Sequence, residues 1–207
     1  ATTAWHMGTA PLSTSPFVFS NAFNFGTYLS HNSLTMSSKD WVILNLGIND
    51  TVASVNPNWP WTVRQDVGNN PGPAYMISNY NAMIASIQAA VPGIRIGITV
   101  IIPPSAFQDS FNSYYTAGLT QALYRRNRDL FVEQLIATFD NQQSNGIYLC
   151  PINLGIDTVN SMITTTAAPN ARSSATVTRG YHPVHPASPG YYQIADVVYS
   201  FLRAQES

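Results

Sequence analysis

The sequence predicts an α/β fold in which a parallel sheet is covered by helices on both faces. Three short apolar runs rich in β-forming residues indicate buried strands, at 41–46, 95–102 and 146–150. Apolar residues at three- and four-residue spacing predict helices that alternate with these strands, over about 77–91, 119–139 and 189–202. Strands that are apolar throughout and alternate with helices are typical of a parallel sheet buried on both faces.

The ends of the first elements carry residues that interrupt regular structure. The first strand ends at Gly47, and the second is stopped by Pro103 and Pro104. The first long helix ends at Pro92 and Gly93, because proline cannot continue a helix and glycine favours its C-terminal end. These residues mark where the predicted elements end. The sequence contains no internal repeat.

The last helix has the clearest start. Ser188 is the predicted N-cap, and Pro189 suits the first turn because its fixed backbone angle matches the helix. The predicted apolar stripe, which should face the sheet, consists of Tyr191, Ile194, Ala195, Val198 and Leu202.

Composition limits the classes of function. The 207 residues predict a single domain, 1–207, and only 9% of them are charged, with 9 Lys and Arg against 10 Asp and Glu. A nucleic-acid-binding protein normally presents a basic face, so nucleic acid is not an expected partner. The longest apolar stretch, 94–102, contains Arg95 and is too short to span a bilayer. Cys150 is the only cysteine, which excludes an intrachain disulfide and a cysteine-based zinc site.

Two long polar segments, 51–74 and 157–184, do not fit the short connections of a compact sheet. In an open parallel sheet the ligand lies beyond the carboxyl ends of the strands, where such segments also lie. Trp59 and Trp61 in the first segment are candidate substrate-binding residues that would stack on sugar rings. The alternative is that they pack beneath their own loop.

Two motifs stand where chemistry is expected. Residues 47–50 (Gly-Ile-Asn-Asp) follow the first strand, and residues 182–186 (His-Pro-Val-His-Pro) precede the last helix. Together they resemble the SGNH (GDSL-type) hydrolase family. That family has a Gly-x-Asn-Asp block after a buried strand and a catalytic His-Pro before a helix that starts with Gly and Tyr, as Gly190 and Tyr191 do here.

The resemblance implies a flavodoxin-like three-layer sandwich and ester hydrolysis through a serine nucleophile. Acyl transfer needs a nucleophile, a base that takes its proton, and donors for the developing oxyanion. By this resemblance His185 is the base and the Asn49 side-chain amide is an oxyanion donor, with Gly47 and Asp50 of the same block as further site candidates. Neither a cofactor nor a metal ion is implied.

The family's nucleophile is not recognisable in this chain. None of the twelve glycines is followed two residues later by serine, and Ser105, Ser173 and Ser174 do not lie on a strand-to-helix elbow. Only 39 residues precede Asp40, too few for the first two strands of the family and their connections. We therefore expect another polypeptide segment to supply the missing strands and the nucleophile, and to pair with strand 41–46.

Two further positions depart from the family pattern. Gly8 is a candidate for the glycine that donates a backbone N–H to the oxyanion, or it is an ordinary loop glycine. His182 stands where the family has the aspartate that orients the base. A backbone carbonyl or Asp157 would then orient His185. The alternative that His182 and His185 bind a metal ion lacks a third ligand.

The expected function is hydrolysis of an acyl ester on a glycan or an acylated small molecule. The alternative is a non-catalytic carbohydrate-binding, receptor-binding or structural module on the same fold. Because Asn, Ser, Thr and Tyr carry most of the polarity, the chain is similar to phage-tail and gut-bacterial glycan-acting members of the family. This similarity implies an extracellular or virion-associated location.

Overall fold

The computed structural model describes residues 18–19, 22–48, 51, 73–114 and 119–206. Its helices and strands in chain order are β1 Val18–Phe19, β2 Ala22–Phe23, α1 Phe25–His31, β3 Trp41–Leu44, α2 Pro73–Ala90, β4 Arg95–Thr99, α3 Gln108–Tyr114, α4 Gln121–Phe139, β5 Ile147–Cys150, β6 Thr164–Ala167, β7 Val177–Gly180 and α5 Ser188–Gln205. Short 3-10 turns lie at Gln143–Asn145 and Ile152–Leu154.

A three-stranded parallel sheet in the order β3-β4-β5 forms the centre of the fold. Val42 pairs with Ile96 across the first ladder, and Ile96 pairs with Ile147 across the second. Because all three strands run the same way, their carboxyl ends meet at one edge of the sheet. The α/β class and the parallel strand direction predicted from the sequence are therefore confirmed.

Helices cover both faces of this sheet. Side chains that alternate along each strand point to opposite faces, so Leu44 joins the core formed with α1, α2 and α4, whereas Trp41 contacts Phe201 of α5 at a ring distance of 5.6 Å. On the α5 side, Cys150 and Ile194 form a second buried cluster. The result is a three-layer arrangement with the sheet in the middle.

The predicted strands and long helices are present, with shifted ends. The first strand is Trp41–Leu44 rather than 41–46, and the first long helix starts at Pro73 rather than near 77. In the described part of the chain β3 pairs with β4 alone. The expectation that another segment pairs with β3 on its other edge stays a prediction. No helix among the described residues has the length and apolar character needed to cross a membrane.

The start of α5 differs from the prediction by one residue. Ala187, not Ser188, is the N-cap, and Ser188 is the first helical residue. The reason is tertiary: the Ala187 N–H donates to the Ser161 carbonyl at 2.9 Å, and the Ala187 carbonyl accepts the N–H groups of Gly190 and Tyr191. These backbone bonds set the boundary in place of a capping side chain.

The apolar stripe of α5 was also predicted partly wrong. Tyr191 and Ala195 are exposed, and the residues that pack on the sheet side are Ile194, Val197, Val198 and Phe201. Phe201 faces the sheet because β4 has Gly97 there, where an added Cβ would lie 3.3 Å from the Phe201 ring. Because Gly97 has no side chain, Phe201 can approach β4, and this determines which side of α5 packs on the sheet.

The polar segment 157–184 is not a plain loop, contrary to the expectation. Its residues Thr164–Ala167 and Val177–Gly180 form an antiparallel hairpin, with Thr164 opposite Gly180. Threonine and valine favour strands because their branched side chains fit the pleated backbone. The hairpin ends at Gly180, so that Tyr181 alone separates it from the His-Pro-Val-His-Pro motif. In the other polar segment, 51–74, only residues 51, 73 and 74 are described.

Candidate active site

A cavity of about 170 Å³ lies at the carboxyl edge of the sheet, where the sequence predicted the ligand. The residues after β3, β4 and β5 and the start of α5 form its wall. Among the described residues, five isoleucines, together with Leu46 and Pro186, make this wall mainly apolar, and the polar ones are Asn45, His185 and Tyr191. The cavity therefore combines an imidazole with a largely hydrocarbon surface.

Gly47 shapes the turn that follows β3. Its φ angle is +95°, a conformation that residues with a side chain rarely adopt. An added Cβ would lie 2.8 Å from Phe131 and 2.9 Å from Ile101, so the core also excludes a side chain here. The Gly47 carbonyl accepts the N–H of Thr51 at 3.1 Å. Gly47 therefore shapes the backbone turn after β3, at the carboxyl edge of the sheet.

Asn45 is a polar member of the site that the sequence analysis missed. It directly follows β3 and lines the cavity. The buried Thr99 hydroxyl lies 2.9 Å from Asn45 Oδ1 and 3.2 Å from the Leu44 carbonyl, donating to this pair of acceptors. A single asparagine at the end of an apolar strand was the available signal.

His182 is a buried, neutral turn-forming residue. Its Nδ1 accepts the N–H of Val184 at 3.4 Å and that of His185 at 3.2 Å. An accepting Nδ1 carries no proton, so the proton of the neutral ring is on Nε2. Burial, together with the nearby charge of a protonated His185, lowers the pKa of His182 to about 4. His182 is therefore uncharged at neutral pH.

His185 lies at the predicted edge of the sheet and forms part of the cavity wall. Its ring is 4.4 Å from that of His182, with an angle of 69° between the two planes. Partial burial lowers the pKa of His185 below its ordinary value. The imidazole is therefore predominantly neutral at pH 7, which is the form that accepts a proton from a nucleophile.

Asp157 serves its own turn. Its Oδ1 accepts the backbone N–H groups of Val159 (2.8 Å) and Asn160 (3.0 Å), and its Oδ2 accepts from the Asn160 side chain. These hydrogen bonds lower the pKa of the Asp157 carboxyl. Both oxygens are thus engaged in a local turn, which gives no support to the idea that Asp157 orients His185.

Ser105 is a structural residue beside the histidine motif. It is fully buried, and its N–H donates to the Pro183 carbonyl at 2.7 Å. Its Oγ accepts the N–H of Phe107 at 3.2 Å. This serine therefore connects the segment after β4 to the histidine turn.

Two exposed tyrosines extend from the histidine pair. The Tyr114 ring lies 4.0 Å from that of His182, and Tyr181 meets Tyr114 edge-on at 6.5 Å. Their side chains are 46% and 49% exposed. They come from α3 and from the residue after β7, so only the tertiary structure brings them to the histidines.

The remaining predicted site residues lie outside the described residues. They are Asn49, Asp50, Trp59, Trp61 and Gly8. Among the described ranges, no three His, Cys, Asp or Glu side chains are grouped so as to hold a metal ion. The structure thus brings His185, His182 and Gly47 to the carboxyl edge of the sheet and adds Asn45, Tyr114 and Tyr181.

Comparison with known proteins adds little to this geometry. No protein-family model matches the chain, and no curated protein matches it in sequence. Among solved structures, a possible lipase from Chitinophaga pinensis is similar, with a TM-score of 0.48 and 15% sequence identity. That alignment covers 89% of this chain and 80% of the other. At this level of likeness, a function has to be argued from the site itself.

Proposed function

We propose that the chain is the part of an SGNH-type ester hydrolase that carries the base, and that it acts on an acylated carbohydrate or a related small ester. The observation that carries the proposal is the position of His185. A neutral, half-buried imidazole lies at the carboxyl edge of a parallel sheet, in the wall of a mainly apolar cavity. Such a cavity with a few polar groups and a perturbed titratable residue is typical of an active site.

In the proposed reaction a serine hydroxyl attacks the ester carbonyl carbon while His185 takes the hydroxyl proton. The carbonyl oxygen becomes an oxyanion, for which the Asn49 amide is the proposed donor. When the C–O bond breaks, His185 returns its proton to the leaving alkoxide, and an acyl-serine remains. Water then repeats the sequence and releases the carboxylic acid and free serine.

The nucleophile in this proposal belongs to polypeptide outside the present sequence. No Gly-x-Ser turn occurs among its residues, and β3 has a strand on one edge only within the described part of the chain. A preceding segment that adds strands beside β3 would bring its serine to the same carboxyl edge as His185. We also propose an extracellular or virion location, which the charge-poor composition supports.

A second candidate function is glycan binding without catalysis. The observation that favours it is the pair of exposed tyrosines, Tyr114 and Tyr181, in contact with each other and with His182. Flat aromatic faces at the surface suit the C–H faces of sugar rings. The presence of His182 in place of an aspartate also removes the usual partner of a catalytic base.

The experiment compares this chain with a longer form that begins upstream in the same reading frame. We expect the longer form to react with a fluorophosphonate probe and to hydrolyse small aryl esters, and the 207-residue chain to do neither. His185→Ala in the longer form should lower kcat by about a thousandfold or more. His31→Ala is the matched control, because His31 is exposed at the end of α1, and it should leave kcat unchanged.

Two results would contradict the proposal. Labelling of the isolated chain on one of its own serines would place the nucleophile inside it. Absence of labelling in both forms, with glycan binding that Tyr114→Ala weakens, would instead favour the non-catalytic candidate.

A further inference from the structure

The cavity beside His185 has the chemistry of a hydrocarbon site. Of its five isoleucines, Ile101, Ile102 and Ile152 are nearly inaccessible to solvent, with exposures of 3%, 4% and 2%. Ile194 closes the side formed by α5, at 9% exposure. The hydroxyl groups of a sugar ring placed against these isoleucines would lose water without gaining hydrogen bonds from them, which costs free energy. An apolar ligand has no hydroxyl groups to desolvate and avoids this cost.

The size of the cavity limits the length of that ligand. An apolar cavity of about 150 Å³ holds one benzene molecule, which has six carbons. The cavity here is of similar size, at about 170 Å³. An acetyl group would leave most of this space empty, whereas a chain of about six carbons would occupy it.

The polar residues of the wall indicate which end of the ligand is polar. Asn45 and His185 belong to the cavity wall. The Thr99 hydroxyl donates a hydrogen bond to Asn45 Oδ1. With that oxygen engaged, the Asn45 amide keeps N–H donors for another acceptor. A ligand with a carbonyl at one end and a hydrocarbon chain at the other matches these residues.

We propose that this cavity binds the acyl chain of the substrate, and that the chain is a medium-length aliphatic one of about six carbons. The inference rests on the proposed ester hydrolysis and specifies its acyl group. The ester carbonyl lies beside His185 and Asn45, and the chain lies against the isoleucines. The products are the corresponding medium-chain carboxylic acid and an alcohol.

The first test measures binding without catalysis. Linear carboxamides from acetamide to decanamide are neutral probes with the same carbonyl and chain, and isoleucine methyl NMR signals report their binding. Each added buried methylene should strengthen binding about fourfold, as expected from the apolar area that it buries. We expect this gain up to about hexanamide and no further gain for longer chains.

A matched pair of variants tests the location of the site. Ile194→Ala enlarges the cavity and should move the best amide to a longer chain. Ile84→Ala makes the same change in a residue that is also buried, at 5% exposure, but belongs to the core around α2. It should leave the order of chain lengths unchanged, even where it lowers stability.

The results separate this inference from the proposed function. Equal binding of all amides, or the same shift in both variants, would overturn the acyl-chain site. Hydrolysis by the longer form with acetyl esters preferred would also overturn it, while ester hydrolysis itself would stand. A length optimum near six carbons in a protein that hydrolyses no ester would support the cavity assignment and contradict the enzyme.

Discussion

The Nδ1 atom of His182 accepts the backbone N–H of His185 at 3.2 Å, so one histidine fixes the main chain that carries the other. In the SGNH family, which the histidine motif resembles, an aspartate three residues before the catalytic histidine acts on the imidazole of the base. Here the residue acts on the backbone of the turn instead, much as an aspartate or asparagine side chain does in a local turn. The position of the cavity-lining imidazole therefore depends on an acceptor at residue 182.

The role of His182 as an acceptor is tested by two substitutions. His182→Ala leaves the N–H groups of Val184 and His185 without this acceptor, and we expect the free energy of unfolding to fall by about 1–3 kcal/mol. His182→Asn keeps an acceptor on Cγ, because Asn Oδ1 corresponds to His Nδ1, and should lose much less. Urea denaturation of both variants measures the difference. Equal losses in the two variants would show that ring packing, not the acceptor, is what matters.

Stability should depend on pH below neutrality. The pKa of His182 is lowered from 6.5 to about 4 in the folded protein, and that of His185 is lowered in the same direction. The unfolded chain therefore binds more protons over this range, so stability is complete above pH 6.5 and falls as the pH drops towards 4. For His182 the loss amounts to up to about 3 kcal/mol.

Urea unfolding at several pH values checks this dependence, with His182→Asn as the control. Asparagine does not titrate, so the variant should lose less stability between pH 6.5 and 4 than the natural chain. The same slope in both proteins would mean that the acid sensitivity arises elsewhere.

Much of the fold was predictable because it rests on local signals. The apolar runs of β3, β4 and β5 and the periodic spacing in α2, α4 and α5 reflect burial, which is visible in the sequence. The position of His185 at the carboxyl edge was predictable from the direction of parallel strands and from a motif that resembles the SGNH family. Both signals come from residues that are close together in the sequence.

The missed features depend on contacts between distant segments. Tyr114 lies on α3 and reaches His182 only in the folded state, and the side of α5 that faces the sheet depends on the absence of a side chain at Gly97. The hairpin of β6 and β7 was missed because its threonines look polar, although they favour extended backbone. None of these contacts has a signal in local spacing.

Gly47 is expected to tolerate no side chain. Gly47→Ala combines a φ of +95° with a Cβ placed 2.8 Å from Phe131. The variant should lose about 2 kcal/mol or more of unfolding free energy. Gly26→Ala is the control. Gly26 lies in the short helix α1, and its added Cβ would lie 3.6 Å from the Cβ of Ala90 in α2, which is an ordinary contact distance.

The two glycine variants should differ in their effect on the free energy of unfolding. In chemical denaturation, Gly26→Ala should leave stability unchanged or raise it by up to about 1 kcal/mol, because alanine loses less backbone entropy in a helix. A folded Gly47→Ala with natural stability would contradict the described turn after β3.

Gly190 should affect the site through Pro186. In the first turn of α5, a Cβ on Gly190 would lie 2.6 Å from the Pro186 Cβ and 2.6 Å from the Ser161 carbonyl oxygen. Pro186 lines the cavity and follows His185, and Ala187 is held to Ser161 by a backbone hydrogen bond. Gly190→Ala therefore has to displace the segment that carries His185, and we expect hexanamide binding to weaken along with a loss of about 1–3 kcal/mol in stability.

Ala195→Gly separates the displacement of the site from a loss of helix stability. Ala195 is exposed on the same helix, and glycine there should cost about 1 kcal/mol through backbone entropy alone. Both variants should unfold at lower urea concentration, but only Gly190→Ala should move the His185 imidazole NMR signals and weaken hexanamide binding. If Ala195→Gly changed these signals equally, the cavity would depend on the stability of α5 as a whole and not on the contact between Gly190 and Pro186.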